Sequence, residues 1–484
     1  MTDYPFFGHI IDNHEVESLD GRRFDTVNPW TREKWAEVAE ASVADADRAI
    51  ASARRAFDEG PWPRMGHAER AVLIHRLADL MEERADELAA LDSTDMGKPF
   101  AQAKHDVGRS VWNFRFFADH QRDSMGEVMP MDSGHHTYTE YGPAGVVAAI
   151  SPWNFPLMMA TWKIAPAIAW GNTCIIKPAE DTPASVVMLG RLAVEAGFPP
   201  GVLNVLNGYG VPAGSSLTGD PRVDRVTFTG ESGTGKIIMN AAASHLAPVS
   251  LELGGKGANI VFDEADLDNA VHWASEAIFR NAGQVCLAGS RLFVQAGIYE
   301  EFLGRFKEAA EALVIGSPFD SATQFSCLAS QEHFEKVRSY VETVEEQGGK
   351  VLTGGVAEDG AWLVRPTIIT DLPLTATQYC EEIFGPVVVV NKFETEAEVV
   401  HLANDTRYGL NAMLFTENLS RAHRVSSNLR AGTVWVNCFF IRDLRTPFGG
   451  VGDSGVGREG GNFSREFFTE PKAVVMQIDR SAQA

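Results

Sequence analysis

Cys286 is the residue best placed to act as a nucleophile. It stands in Phe279-Arg-Asn-Ala-Gly-Gln-Val-Cys-Leu-Ala-Gly-Ser-Arg291, after a helix expected over about 267–279. A nucleophilic cysteine needs thiolate character, access and backbone room for its substrate, and Gly283 and Gly289 are candidates to supply that room. A buried, inert cysteine at a helix end has the same local pattern. Glu252, in Ser250-Leu-Glu-Leu-Gly-Gly-Lys256, is a lone carboxylate between leucines. In a cleft of low dielectric its pKa rises, which suits a general base; a partly exposed strand-end carboxylate is the alternative. Ile150-Ser-Pro-Trp-Asn-Phe-Pro156 ends a strand in two prolines that bracket Trp153-Asn154. Such a stiff turn can fix the Asn154 amide as an oxyanion donor, or it is a rigid loop with Trp153 in the core.

A fourth segment, Phe228-Thr-Gly-Glu-Ser-Gly-Thr-Gly-Lys-Ile237, runs from a strand through a Gly-rich turn into a helix. Gly230 and Gly235-Lys236 nearly match a phosphate-binding loop, but Ile237 stands where magnesium needs a Ser or Thr oxygen. Two readings remain. One is a dinucleotide pyrophosphate at a helix N-terminus, where free N–H groups and the helix dipole favour anions. The other is a tight turn.

These motifs need elements to position them. From Gly142 onward, short apolar runs at Val146–Ile150, Thr173–Ile176, Val202–Leu206 and Arg225–Phe228 alternate with helical stretches. That alternation predicts a parallel, doubly wound sheet. The helices expected between them include residues 165–169, 183–196 and a stretch near Ala213. A second α/β series is expected over about 250–437. Before Gly142 come short strands over 5–27, helices over 46–57, 67–91 and 101–117, and a polar hairpin or connection over 123–141. The tail, 466–478, reads as a closing strand.

With 484 residues the chain needs two or three packed units. A net charge of −23 argues against nucleic acid and anionic membrane surfaces as partners. The N-terminus has neither a basic nor an apolar leader, and the apolar runs are too short to span a bilayer, so a cytoplasmic protein is expected. Five dispersed cysteines, Cys174, Cys286, Cys327, Cys380 and Cys438, suit reduced thiols and offer no metal-ligand spacing.

Taken in order, SPWNFP, KPAE, FTGES, LELGGK, GQVC, EEIFGP, and PFGG with SGVGRE resemble the aldehyde dehydrogenase superfamily, from about residue 20 to residue 478. The resemblance implies three parts: a dinucleotide-binding domain over 1–124 and 143–249, a catalytic α/β domain over 250–446, and a small bridging β element over 125–142 and 447–484. It implies NAD as cofactor and a homodimer or homotetramer. Cys286 then stands at the nucleophile, Glu252 at the general base, and Asn154 with the Cys286 N–H at the oxyanion hole. Lys177 and Glu180 stand at the adenosine ribose, with Glu180 favouring NAD over NADP. Glu382 and Phe384 stand at the nicotinamide end. Ile150, Ser151, Pro152, Trp153, Gly230, Ser232, Gly235 and Leu253 complete the expected cofactor contacts. Lys163 is a helper near the cofactor, and Glu459 matches a position linked to proton exit. One departure is Glu231, where many relatives carry a small hydroxyl residue. A carboxylate beside phosphate is unfavourable, which leaves Ser232 and backbone N–H groups as the expected donors.

The segment Trp435-Val-Asn-Cys-Phe-Phe-Ile-Arg-Asp-Leu-Arg-Thr-Pro-Phe-Gly-Gly450, with FRFFAD and SGVGREGG, is similar to the branch that oxidises ring-cleavage semialdehydes, including the 2-hydroxymuconate, 2-aminomuconate and 5-carboxymethyl-2-hydroxymuconate members. Their substrates carry a distal carboxylate, for which a planar guanidinium is the expected partner. Arg109 and Arg445 are placed at the substrate tunnel, with Arg442 a rival to Arg445, and Trp162 and Phe448 as further substrate contacts. Amino-aldehydes, betaine aldehyde or a broad range of aldehydes form the alternative substrate class.

Overall fold

The computed structural model describes residues 4–123, 125–131, 134–357 and 360–478. Residues 1–3, 124, 132–133, 358–359 and 479–484, included in the expected domain ranges, lie outside the described residues.

The expected doubly wound α/β sheet is present. Val249–Glu252, Arg225–Thr229, Val146–Ile150, Thr173–Lys177 and Leu203–Val205 lie side by side in that order, all parallel. Every residue of the three middle strands is buried, which explains their unbroken apolar runs. Strand order reverses between Val146–Ile150 and Arg225–Thr229, and the crevice beyond the carboxyl ends of such strands is where open α/β sheets take ligands. Two antiparallel additions extend the sheet: His9–Ile11 with His14–Val16 at one edge, and Gly455–Val456 at the other. The sheet therefore runs through Glu252 rather than stopping before residue 250, and it takes a strand from the 447–484 segment.

The second sheet orders Lys350–Val356, Val364–Thr370, Val387–Phe393, Arg291–Gln295, Ala258–Val261, Asn411–Phe415 and Thr433–Val436. Only its Lys350–Val356 edge pairs antiparallel. A third sheet is antiparallel and small. Thr469–Gln477 pairs along its whole length with His135–Pro143, which also pairs with Val128–Met129. The tail is thus a strand only from Thr469; Gly461–Phe468 before it is helical. Among the described residues, no helix is long and apolar enough to cross a membrane.

Two helices position the site. Pro156–Ala169 begins directly at the proline that ends the SPWNFP turn, where its fixed φ and missing N–H suit a helix start. It is buried almost all round, so its pattern carries little periodicity, and the interior Pro166 disguises it further. Ser232–Ala243 starts at Glu231, whose carboxylate caps the helix by accepting the Thr234 N–H at 3.2 Å. A Cβ at Gly233 would meet that carboxylate at 2.8 Å.

Candidate active site

A cavity of about 360 Å³ opens at the reversal point and is closed from the other side by the second domain. The first domain contributes Pro152, Trp153 and Asn154 from the end of Val146–Ile150, and Gly230 and Glu231 from the end of Arg225–Thr229. Glu252 and Leu253 enter from the next strand. Across the gap stand Cys286, Glu382 and Phe384, and the late segment supplies Arg442 and Phe448. Three sequence motifs that are distant in the chain therefore place Asn154, Glu252 and Cys286 on one cavity.

The cysteine loop is held by its backbone. Asn281, Ala282 and Gly283 are consecutive left-handed residues with φ of 52°, 52° and 71°. Asn281 tolerates this conformation because its short amide bonds locally; Ala282 carries the strain that such loops store. The Asn281 amide donates to Asn154 O at 2.9 Å, and its backbone N–H donates to Gln102 Oε1 at 3.2 Å. Gly283 serves a different purpose from the one expected. A Cβ there would meet Gly385 O at 2.1 Å, so its absence lets the 382–386 backbone approach. Room beside the nucleophile comes instead from Gly255, where a Cβ would meet Cys286 O at 2.4 Å.

Burial governs the electrostatics. It pushes the Cys286 thiol up to about 12, with Glu382 and Glu252 adding to the effect. Burial also holds the Glu252 carboxyl well above the usual carboxylate range, reinforced by Glu459 and opposed by Lys163 and Arg442. Neither Glu252 oxygen has a hydrogen-bond partner among the described residues. Gly449 makes this close approach possible, since a Cβ on it would meet Glu252 Oε1 at 2.7 Å. Glu382 is raised to about 7 by burial, against the Gly255 N–H that donates to it at 2.8 Å.

The remaining expected residues fall at different depths. Ile150 is core, and Ser151 turns the chain with its Oγ buried and without a partner among the described residues. Lys177 is buried and donates to Pro178 O, Gly208 O and, at 3.3 Å, to Glu180. Gly235 packs the helix onto Leu253, where a Cβ would meet the leucine at 2.6 Å. The Ser232 hydroxyl donates to Asp453 O at 2.7 Å. Lys163 does not line the cavity. Its Nζ lies 3.2 Å from Glu459 and 3.0 Å from Thr227, in a buried ion pair beneath the floor.

Arg445 is a correction. It is exposed and paired with Asp443 at 2.6 Å on the surface, because three residues further along the loop the chain has turned outward. Arg442 takes the place at the cavity wall. Its guanidinium carbon is 3.9 Å from the Trp162 ring centroid and 3.8 Å from that of Phe448. Arg109 lies behind, lining with Arg442 and Trp162 an annex of about 40 Å³ that shares Met158, Met159 and Phe440 with the main cavity. Glu459 braces this wall: it accepts a hydrogen bond from the Trp162 ring N–H, and its backbone exchanges two 2.8 Å hydrogen bonds with Phe448.

The sequence reading missed the helix Gln331–Glu342, which brings Glu332, His333 and Lys336 to the cavity. Burial lowers His333 to about 4, so its neutral ring donates from Nε2 to Phe384 O at 2.7 Å. That bond pins Phe384 in its left-handed conformation, φ 61°. No motif surrounds His333; only the tertiary fold brings it there.

The model of the aldehyde dehydrogenase family matches residues 16–474. The chain belongs to the aldehyde dehydrogenase family. It is 46% identical to a 2-hydroxymuconic semialdehyde dehydrogenase from Pseudomonas sp. (strain CF600), covering 97% of this chain and 99% of that one. An aldehyde dehydrogenase from Emericella nidulans is nearly as similar, at 44% identity over 96% of this chain and 94% of that one. The NAD+ complex of an aldehyde dehydrogenase from Bacillus cereus superposes with a TM-score of 0.96 at 41% identity, covering 98% and 97% of the two chains. Several branches of aldehyde dehydrogenase are thus about equally near, and the family likeness alone does not select a substrate.

Proposed function

We propose that this NAD-dependent aldehyde dehydrogenase oxidises an aldehyde carrying a distal carboxylate, of the muconate-semialdehyde type, to the dicarboxylate. The observation that carries the reading is the state of Arg442. Its guanidinium is stacked between two aromatic rings, and its Nε and Nη2 are buried without a partner among the described residues. Buried donors without acceptors are costly. Burial lowers Arg442 only to about 10, so it stays charged at neutral pH. A carboxylate satisfies both donors at once through paired hydrogen bonds, which is the geometry a guanidinium is shaped for. Arg109 in the annex adds a second positive charge to a chain whose net charge of −23 would otherwise repel an anion. The 46% identity to the hydroxymuconic semialdehyde enzyme supports the same reading.

The residues present suit NAD. The crevice sits at the strand-order reversal, the start of helix Ser232–Ala243 faces it, and Gly254 leaves space against Glu382, where a Cβ would meet Oε2 at 2.1 Å. Lys177 and Glu180 would hold the adenosine end, and Glu382 and Phe384 the nicotinamide end. When bound, NAD accepts the two electrons that leave with the aldehyde hydrogen.

The protein's own chemistry follows. The Cys286 thiol gives up its proton to water in the cavity, and the sulfur adds to the aldehyde carbon, forming a C–S bond as the C=O π bond becomes an oxyanion. The Asn154 amide and the Cys286 N–H stabilise that oxyanion. Loss of the C–H bond leaves a thioester on Cys286. Glu252 takes a proton from water, the water oxygen adds to the thioester carbon, and the C–S bond breaks to release the acid. The Lys163–Glu459 pair beneath offers a buried route for the proton.

Arg442→Met tests the substrate class. A charge-assisted contact contributes about 1.5–3 kcal/mol, which is about 10- to 100-fold in kcat/KM. That loss is expected on 2-hydroxymuconate semialdehyde, with hexanal little affected. Arg445→Ala is expected to change neither. Equal loss on both aldehydes in Arg442→Met would make the arginine structural and remove the basis for the substrate.

We also propose that copies associate through the sheet of His135–Pro143 and Thr469–Gln477 into a dimer or tetramer. Thr469–Gln477 is an edge strand with mostly exposed side chains, and such edges invite pairing. Elution as a strict monomer at micromolar concentration would rule this out.

A further inference from the structure

Lys98 takes no part in the chemistry above. Lys98 follows Gly97, which ends the helix Ala85–Met96 in a left-handed cap, φ 75°. A lysine in a turn between helices ordinarily reaches solvent. The Lys98 side chain is instead fully buried. Its Nζ lies 2.6 Å from Asp106 Oδ2 and 3.1 Å from Asn154 O, and 4.0 Å from the centroid of the Phe155 ring.

The second of these contacts is to the backbone of the oxyanion donor itself. Asn154 O accepts from Lys98 on one side and from Asn281 Nδ2, at 2.9 Å, on the other. The Asn154 side chain donates to Gln284 O at 2.9 Å, which leaves its second amide hydrogen for the cavity. Asn281 and Gln284 belong to the loop that carries Cys286. One carbonyl therefore joins the SPWNFP turn, the cysteine loop and the helix Phe100–His120, on which Asp106 lies three residues before Arg109.

We infer that Lys98, with Asp106 as its counter-ion, is a positioning residue that sets the Asn154 amide against the Cys286 loop for oxyanion stabilisation. The inference rests on the reading of Asn154 as the oxyanion donor. Burying an ammonium and a carboxylate is expensive, and a well-packed apolar pair would fill the space at least as stably. What an apolar pair lacks is a donor for Asn154 O. Without that donor Asn154 O retains only the Asn281 bond, and small displacements of an oxyanion donor slow acyl chemistry steeply.

The test uses Lys98→Met combined with Asp106→Asn, so that both members of the buried pair are removed together. The single-turnover rate of NADH formation, with enzyme in excess over aldehyde, is measured in the wild-type and Asn154→Ala backgrounds, together with thermal unfolding and the stoichiometry of NAD binding. In the wild-type background the rate constant is expected to fall about 10- to 100-fold with NAD stoichiometry intact. In the Asn154→Ala background no further fall is expected, because the two changes act through one group. Equal falls in both backgrounds overturn the inference alone. So does a loss of binding stoichiometry with an unchanged rate constant in the competent fraction, which is the signature of a purely structural pair. An Asn154→Ala enzyme as fast as wild type overturns the oxyanion reading, and the inference with it.

Discussion

Replacing Cys286 with alanine is expected to reduce NADH formation by at least ~10⁴-fold while leaving NAD binding nearly intact. No other cysteine can substitute. Cys174 and Cys327 are buried, Cys380 is exposed, and Cys438 is half-buried and does not line the main cavity. The cofactor crevice is built from the strand ends and from Glu382 and Phe384, none of which needs the sulfur. Progress curves with a fluorescence titration of NAD separate the two effects. Ordinary turnover by the alanine variant would end the thioester mechanism. Because burial holds the thiol up to about 12, alkylation of the free enzyme by iodoacetamide should be slow at neutral pH and accelerate as pH rises.

The second large effect belongs to Glu252. In Glu252→Gln, the first equivalent of NADH per active site should form, and steady turnover should then fall by ~10²–10⁴-fold, because the thioester waits for an activated water. Mixing experiments that resolve the first turnover read both phases. The pH dependence carries the same information. A raised carboxyl pKa means the basic form is populated only at higher pH. The wild-type steady-state rate should therefore rise with pH through a midpoint above the ordinary carboxylate range and be lost as pH falls through it. Glu252→Gln should remove that limb. An unchanged rate, or the same limb in the variant, would assign the base elsewhere.

That Asn154, Glu252 and Cys286, the residues proposed as catalytic, line one cavity was legible in the sequence for a physical reason. Asn154 and Glu252 sit at or just beyond the carboxyl ends of buried parallel strands, and the local pattern of apolar run, special turn and helix announces such positions. Arg442 and Arg445 show where this stops. They lie in one loop three residues apart, and the stacking of Arg442 between Phe448, six residues on, and Trp162, from a distant helix, marks which guanidinium turns inward. The ion pair of Lys163 was not legible, because its partner Glu459 lies nearly three hundred residues later. His333 and Lys98 are set entirely by tertiary contacts. Glu231, the residue that looked unsuited to a phosphate, proved to be a helix cap, a role its residue type does not announce, since Ser, Thr, Asp and Asn are the usual caps.

The late segment of the chain has a consequence for biosynthesis. Arg442, Phe448, Gly449 and Glu459 wall and brace a cavity whose other members are made much earlier, and Gly455–Val456 closes the edge of the first sheet beside Glu252. Thr469–Gln477 then pairs with His135–Pro143 across more than three hundred intervening residues. A nascent chain that has emerged only as far as the second sheet already carries its reactive thiol but lacks the wall that selects what reaches it. The cavity is therefore complete only once residues 442–477 have been made, rather than domain by domain, and the long-range pairings that complete it are the slow kind. For the thiol proposed to attack aldehydes, that order leaves the site unfinished until the residues that wall it have been added.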